Sequence, residues 1–111
     1  MAAIVPCILT TDTNNRPLDG VIKPAGWVDA FVLAAGVAET YTVPASARFV
    51  IFSATADFYA NFNGATAAAP TTEISNGTAS VLNPTARRVT PAATVSLIAP
   101  AACTITVEVF A

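Results

Sequence analysis

Seven carboxylates, two cysteines and one arginine pair are the groups in this 111-residue chain best suited to chemistry. The carboxylates are Asp12, Asp19, Asp29, Glu39, Asp57, Glu73 and Glu108. A glycosidase needs two such groups facing each other across a bond. Here each stands alone in sequence and none belongs to a recognisable motif, so they read as solvated charges. There is no histidine, which removes the commonest general base and metal ligand and leaves a serine or cysteine nucleophile without its usual partner. Asp12-Thr13-Asn14 opens like a calcium loop, but Arg16 stands at the third ligand position and Pro17 where a glycine is needed. The five glycines are scattered and form no phosphate-cradling loop. No catalytic residue, metal ligand or cofactor site is expected, and the chain does not read as an enzyme.

Two features remain as binding candidates. Arg87-Arg88 is the single charge cluster. It reads either as a loop pair balanced by nearby carboxylates or as a contact to an acidic surface on a partner, where the guanidinium fork binds a carboxylate bidentately. Trp27, the one tryptophan, reads either as a plug at the edge of the core or as an interface anchor on the partner side. Trp27, Arg87 and Arg88 are therefore the candidate partner interface. Cys7 and Cys103 would pair if the first and last strands were neighbours, but with two cysteines and no export signal, buried free thiols are the better reading. Asn76-Gly77-Thr78 fits a glycosylation pattern and is read as a turn.

The elements that position these groups come from composition and patterning. At this length one domain is expected, large enough to bury a core without disulfide or metal staples. Hydrophobic residues make up 54% and charged residues 11%, well below the usual charged share of about 25%. With a formal charge of only -2, little repulsion holds copies apart, and a homo-oligomer, dimer or trimer, is expected. Nucleic acid is not expected as a partner, since only five Lys and Arg are present and they are spread along the chain. Residues 89–107 carry no formal charge, but Pro91, Pro100 and five Ser or Thr residues argue for strands rather than a membrane helix. No secretory signal is read at the start, where the short apolar patch is interrupted by Pro6.

Along the chain, residues 1–29 form an extended N-terminal arm, with a possible edge strand at 3–9 and a loop at 11–20. Residues 30–111 form the folded domain. After Arg48, the run Phe49-Val50-Ile51-Phe52 is continuously apolar, β-branched and aromatic, and reads as a central strand covered on both faces. Residues 53–56 are expected to turn it into a hairpin with an alternating partner, 57–62, that ends at Asn63-Gly64. Further short strands are expected at 29–35, 37–43, 78–82, 94–99 and 103–110, with turns at 44–47, 76–77 and 83–84. No long amphipathic helix is visible. The fold class is all-β, an antiparallel β-sandwich or jelly-roll-like barrel.

Several phrases of the chain resemble a known group: Val43-Pro44-Ala45-Ser46-Ala47-Arg48-Phe49-Val50-Ile51-Phe52-Ser53-Ala54, Asp57-Phe58-Tyr59-Ala60-Asn61-Phe62-Asn63-Gly64, Leu82-Asn83-Pro84-Thr85-Ala86-Arg87-Arg88 and Ser96-Leu97-Ile98-Ala99-Pro100. With the alanine- and threonine-rich, charge-poor texture of residues 30–111, they look like small virion proteins of tailed bacteriophages. Among those the chain is most similar to capsid decoration, or cement, proteins. The resemblance implies a β-sandwich or jelly-roll-like subunit, made in the host cytoplasm, that binds the major capsid protein on the outside of the assembled head and stabilises it as a dimer or trimer. It implies no catalytic residues. A head-fibre base or a tail or adaptor component fits the same composition, and a carbohydrate-binding sandwich fits it less well.

Overall fold

The structure is a computed structural model that describes residues 24–111. The expected edge strand at 3–9, the loop at 11–20 and Cys7 lie outside the described residues. Eight strands follow in order: β1 (Trp27–Leu33), β2 (Glu39–Thr42), β3 (Phe49–Ala54), β4 (Tyr59–Asn61), β5 (Val81–Leu82), β6 (Ala86–Arg88), β7 (Thr94–Ile98) and β8 (Cys103–Phe110). No helix occurs among the described residues. The strands form two four-stranded sheets, β1-β8-β3-β6 and β2-β7-β4-β5, with every ladder antiparallel.

That order has a simple origin. β1 pairs with β8, β2 with β7, β3 with β6 and β4 with β5, so the chain behaves as one long antiparallel ribbon. Rolling the ribbon brings β3 against the free side of β8 and β4 against the free side of β7. The result is a jelly roll, a two-layer all-β solution that buries one face of each sheet. The crossing from β1 to β2 is fixed by Gly36, whose positive φ of 71° suits a residue without Cβ and whose amide donates to the Ala99 carbonyl at 2.8 Å.

Period-2 alternation decides which residues enter the core. Along β8, Cys103, Ile105, Val107 and Val109 are buried, while Thr104, Thr106, Glu108 and Phe110 stay half-buried on the other face. Along β7 and just beyond it, Val95, Leu97 and Ala99 face inward. Tyr41 and Val43, Val50 and Phe52, and Phe58 and Ala60 complete the interior.

Three expectations are corrected. Residues 49–54 and 59–61 do not form a hairpin, because β3 belongs to one sheet and β4 to the other. Their apolar faces meet across the core instead, with the Phe52 ring 5.9 Å from Phe58 and 6.1 Å from Phe62. Residues 53–56 are the corner between layers, and Gly64, at φ 85°, turns the chain into the loop that follows β4. Arg87 and Arg88 are not in a loop; they lie in β6 at the edge of the first sheet. Finally, β1 starts at Trp27, three residues before the expected domain boundary, so 27–29 belong to the sheet rather than to an arm.

The far corner is held by Asn83. Its backbone N–H donates to the Phe58 carbonyl at 2.9 Å, its Oδ1 accepts from the Phe58 N–H at 3.0 Å and its Nδ2 donates to Asp57 Oδ1 at 2.9 Å. Its φ of 47° lies in the left-handed region that asparagine tolerates. Next to it, Thr85 accepts from the Phe52 N–H at 3.0 Å, so the corner and the buried aromatic group share one frame. Phe52→Ala is expected to destabilise the fold by about 3–5 kcal/mol. Denaturant unfolding measures this, and a loss under about 1 kcal/mol would show that the Phe52 cluster does not tie the layers together.

Candidate interaction face

The sequence-predicted residues fall at one end of the first sheet. Trp27 pairs with Val109, Val109 with Val50 and Val50 with Arg87. These four residues form a single row across all four strands. With three strand spacings between them, Trp27 and Arg87 stand about 14 Å apart at opposite edges. Arg88 belongs to the neighbouring row, which faces the other way: it pairs with Phe49, and Phe49 pairs with Phe110. The structure therefore brings the three residues to one end of the sheet but not to one face.

Trp27 is 54% exposed, which corrects its reading as a core plug. Its indole Nε1 donates to Asp29 Oδ2 at 2.9 Å. The same oxygen accepts from the Tyr41 hydroxyl at 2.9 Å, which reaches it from the opposite sheet. Tyr41 is otherwise buried and meets Phe31 edge-on at 5.1 Å. Burial, then the Asp29 hydrogen bond and charge, push the Tyr41 phenol well above its ordinary pKa. Tyr41 therefore remains a protonated donor at neutral pH, and Asp29 closes the β1–β2 side of the sandwich. Beside Trp27, an open groove of about 380 Å³ runs over the 44–47 turn to Val109 and Ala111.

The outer face of the same sheet carries a different set of groups. Phe49 and Phe110 are stacked, with centroids 4.7 Å apart and planes 7° off parallel. Arg88 is exposed beside Phe49 and, with Arg48, lines a depression of about 240 Å³. Arg48 is fixed by its backbone, its N–H donating to the Phe110 carbonyl at 2.8 Å and its carbonyl accepting from Val89 N–H at 2.9 Å. Farther along, Ile51 pairs with Glu108 and Glu108 with Val28, and Val28 and Val32 stand 53% and 76% exposed. Sequence reasoning missed Phe49 as a surface group because a continuous apolar run suggests burial on both faces. The alternation of Phe49 and Ile51 with Val50 and Phe52 was the signal available.

Arg87 is half-buried and its Nη1 donates to the Ala86 carbonyl at 2.8 Å, so Arg88 is the more available fork. Cys103 is a buried thiol donating to the Ala56 carbonyl at 3.3 Å. Among the described residues no His, Cys, Asp and Glu set of three or more is placed to hold a metal ion. No helix among the described residues is long and apolar enough to cross a membrane, and residues 89–107 hold β7 and the first part of β8 with the turns that precede each.

Asp29→Ala strands a buried hydroxyl and is expected to cost about 1–3 kcal/mol in denaturant unfolding. Tyr41→Phe, which removes the donor instead, is expected to cost less. Equal costs for the two, or none for Asp29→Ala, would show that this carboxylate does not join the layers. No protein-family model, no curated protein and no solved structure matches this chain.

Proposed function

We propose that this chain is a virion structural protein, a decoration or cement protein that binds the major capsid protein on the outside of an assembled bacteriophage head and stabilises the shell. The observation that carries this reading is the outer face of the β1-β8-β3-β6 sheet. It combines a stacked aromatic pair, exposed valines and Arg88 on a pleated surface, with Arg48 beside Phe49 and Arg88 in the depression at its end. Aromatic and arginine side chains are the groups that anchor protein–protein contacts. A chain with so few charges elsewhere gains little from leaving such a face in water.

The resemblance in phrasing noted for residues 30–111 and the jelly-roll order are consistent with this role. The second is an analogy of fold, since one fold serves many functions. A decoration protein works by repeating one modest interface many times, and linkage between neighbouring copies multiplies weak contacts into firm attachment. In this reading Phe49 and Phe110 supply the apolar contact and Arg88 binds a shell carboxylate.

The test is addition of the purified chain to purified heads, followed by quantitative mass spectrometry of the washed particles. Hundreds of copies, in a simple ratio to the shell protein, are expected. Arg88→Glu is expected to weaken attachment by roughly 10–100-fold, the loss of one charge-assisted contact. A dozen copies or fewer would place the chain at the tail or portal instead. No binding would remove the capsid reading.

A further inference from the structure

Among the described residues the two sheets leave four open edges, β1, β6, β2 and β5. Three are closed to pairing by their own residues. β2 is four residues long, begins at Glu39 and is followed by Pro44. β5 has two residues and runs straight into Asn83-Pro84. β6 has three, two of them arginines, set between Pro84 and Pro91. Short length, charge and proline are the devices that keep a strand edge from recruiting another chain.

β1 lacks these devices. It runs for seven residues without lysine, arginine or proline, and its outward side chains Val28 and Val32 are more exposed than not. Its one charge, Asp29, is engaged by Trp27 and Tyr41 of the same chain. The side of β1 that no described strand pairs with therefore offers a row of backbone donors and acceptors beside apolar side chains.

We infer that β1 pairs antiparallel with β1 of a second copy, about a two-fold axis at Ala30, joining two four-stranded sheets into one continuous sheet. The strand is self-complementary in this register. Trp27 falls opposite Leu33 of the second copy, Val28 opposite Val32, Asp29 opposite Phe31 and Ala30 opposite Ala30. Directly opposed residues share a face, so the exposed valines cover each other on the outer surface. A slip of one residue would turn the second copy's core face outward. A two-fold at Asp29 would set like charges against each other, and one at Phe31 would leave Trp27 and Val28 unpaired. A formal charge of -2 per chain opposes the association only weakly. One strand edge is smaller than the about 1,200–2,000 Å² of a standard interface, so the dimer depends on concentration. It stands on the strand itself, whatever the outer face binds.

The test uses the full chain. Sedimentation equilibrium from micromolar to submillimolar concentration is expected to show a reversible monomer–dimer equilibrium, with β1 amides gaining hydrogen-exchange protection as concentration rises. Val32→Lys, at an already exposed position, is expected to weaken the dimer at least about tenfold. In a Cys7→Ser background, Ala30→Cys is expected to give a disulfide-linked dimer on mild oxidation, and Ser53→Cys, exposed on the same sheet but away from the axis, is not. A monomer at every concentration overturns the proposal, as does a dimer indifferent to Val32→Lys. So does β1 protection independent of concentration, which would mean that a segment of the same chain covers the edge.

Discussion

β8 is the strand on which the rest of the molecule depends. It is the longest strand and is bonded along both sides, to β1 through seven residue pairs and to β3 through six. Its inward residues Cys103, Ile105, Val107 and Val109 lie against the other sheet, so one register has to satisfy two ladders and a core at once. Because side chains alternate, a shift of one residue would send Thr104, Thr106 and Glu108 into the interior in place of Ile105 and Val107. The unpaired polar groups and the buried charge that would follow are costly enough to exclude the alternative. β7 plays the matching part in the second sheet, with a shorter row of Val95, Leu97 and Ala99.

The polar interactions follow the same economy. Asp29, Asn83 and Ser96 each use side-chain oxygens to close a place where strands end or layers meet: the β1–β2 side, the corner beside Phe58, and the loop that docks through the Ala67 amide at 2.8 Å. Within the core only the Tyr41 hydroxyl depends on one of them, Asp29. Apart from Glu108, which stands on the outer face of β8 between Ile51 and Val28, the outer face of the first sheet is carried largely by threonine, valine and phenylalanine. This is how a chain with 11% charged residues forms an ordered sandwich while its first sheet keeps aromatic and valine side chains on its outer surface.

How much of this was legible in the sequence depends on the element. The facing of β7, β8, Tyr41, Val43, Phe58 and Ala60 was readable from period-2 alternation alone, because alternation records burial directly. Pairing was not. The stretch around 53–56 has the small residues of a tight turn, yet a corner that crosses between layers asks for the same residues, and only the competition of β8 for the edge of β3 decides between them. The brevity of β6 hid a strand within what looked like a loop, since three residues between two prolines carry no period. For the candidate face, Arg88 and Trp27 were visible by residue type. That they lie on opposite faces of one sheet end follows from a register set by β8, far away in the chain.

The ribbon pairing also has a consequence for the order of assembly. Trp27 is bonded to Val109 and Leu33 to Cys103, so the first described strand finds its partner only when the last is present. Until then β1, with its valines and tryptophan, waits as an unpaired apolar segment, and the loop to be closed spans nearly the whole domain. Such non-local closure makes a sandwich slow to fold and leaves its intermediates adhesive. A nascent chain emerging from the ribosome would therefore hold its stickiest strand exposed longest, and crowded synthesis of many copies would favour misassociation through that strand before the native sheet is complete.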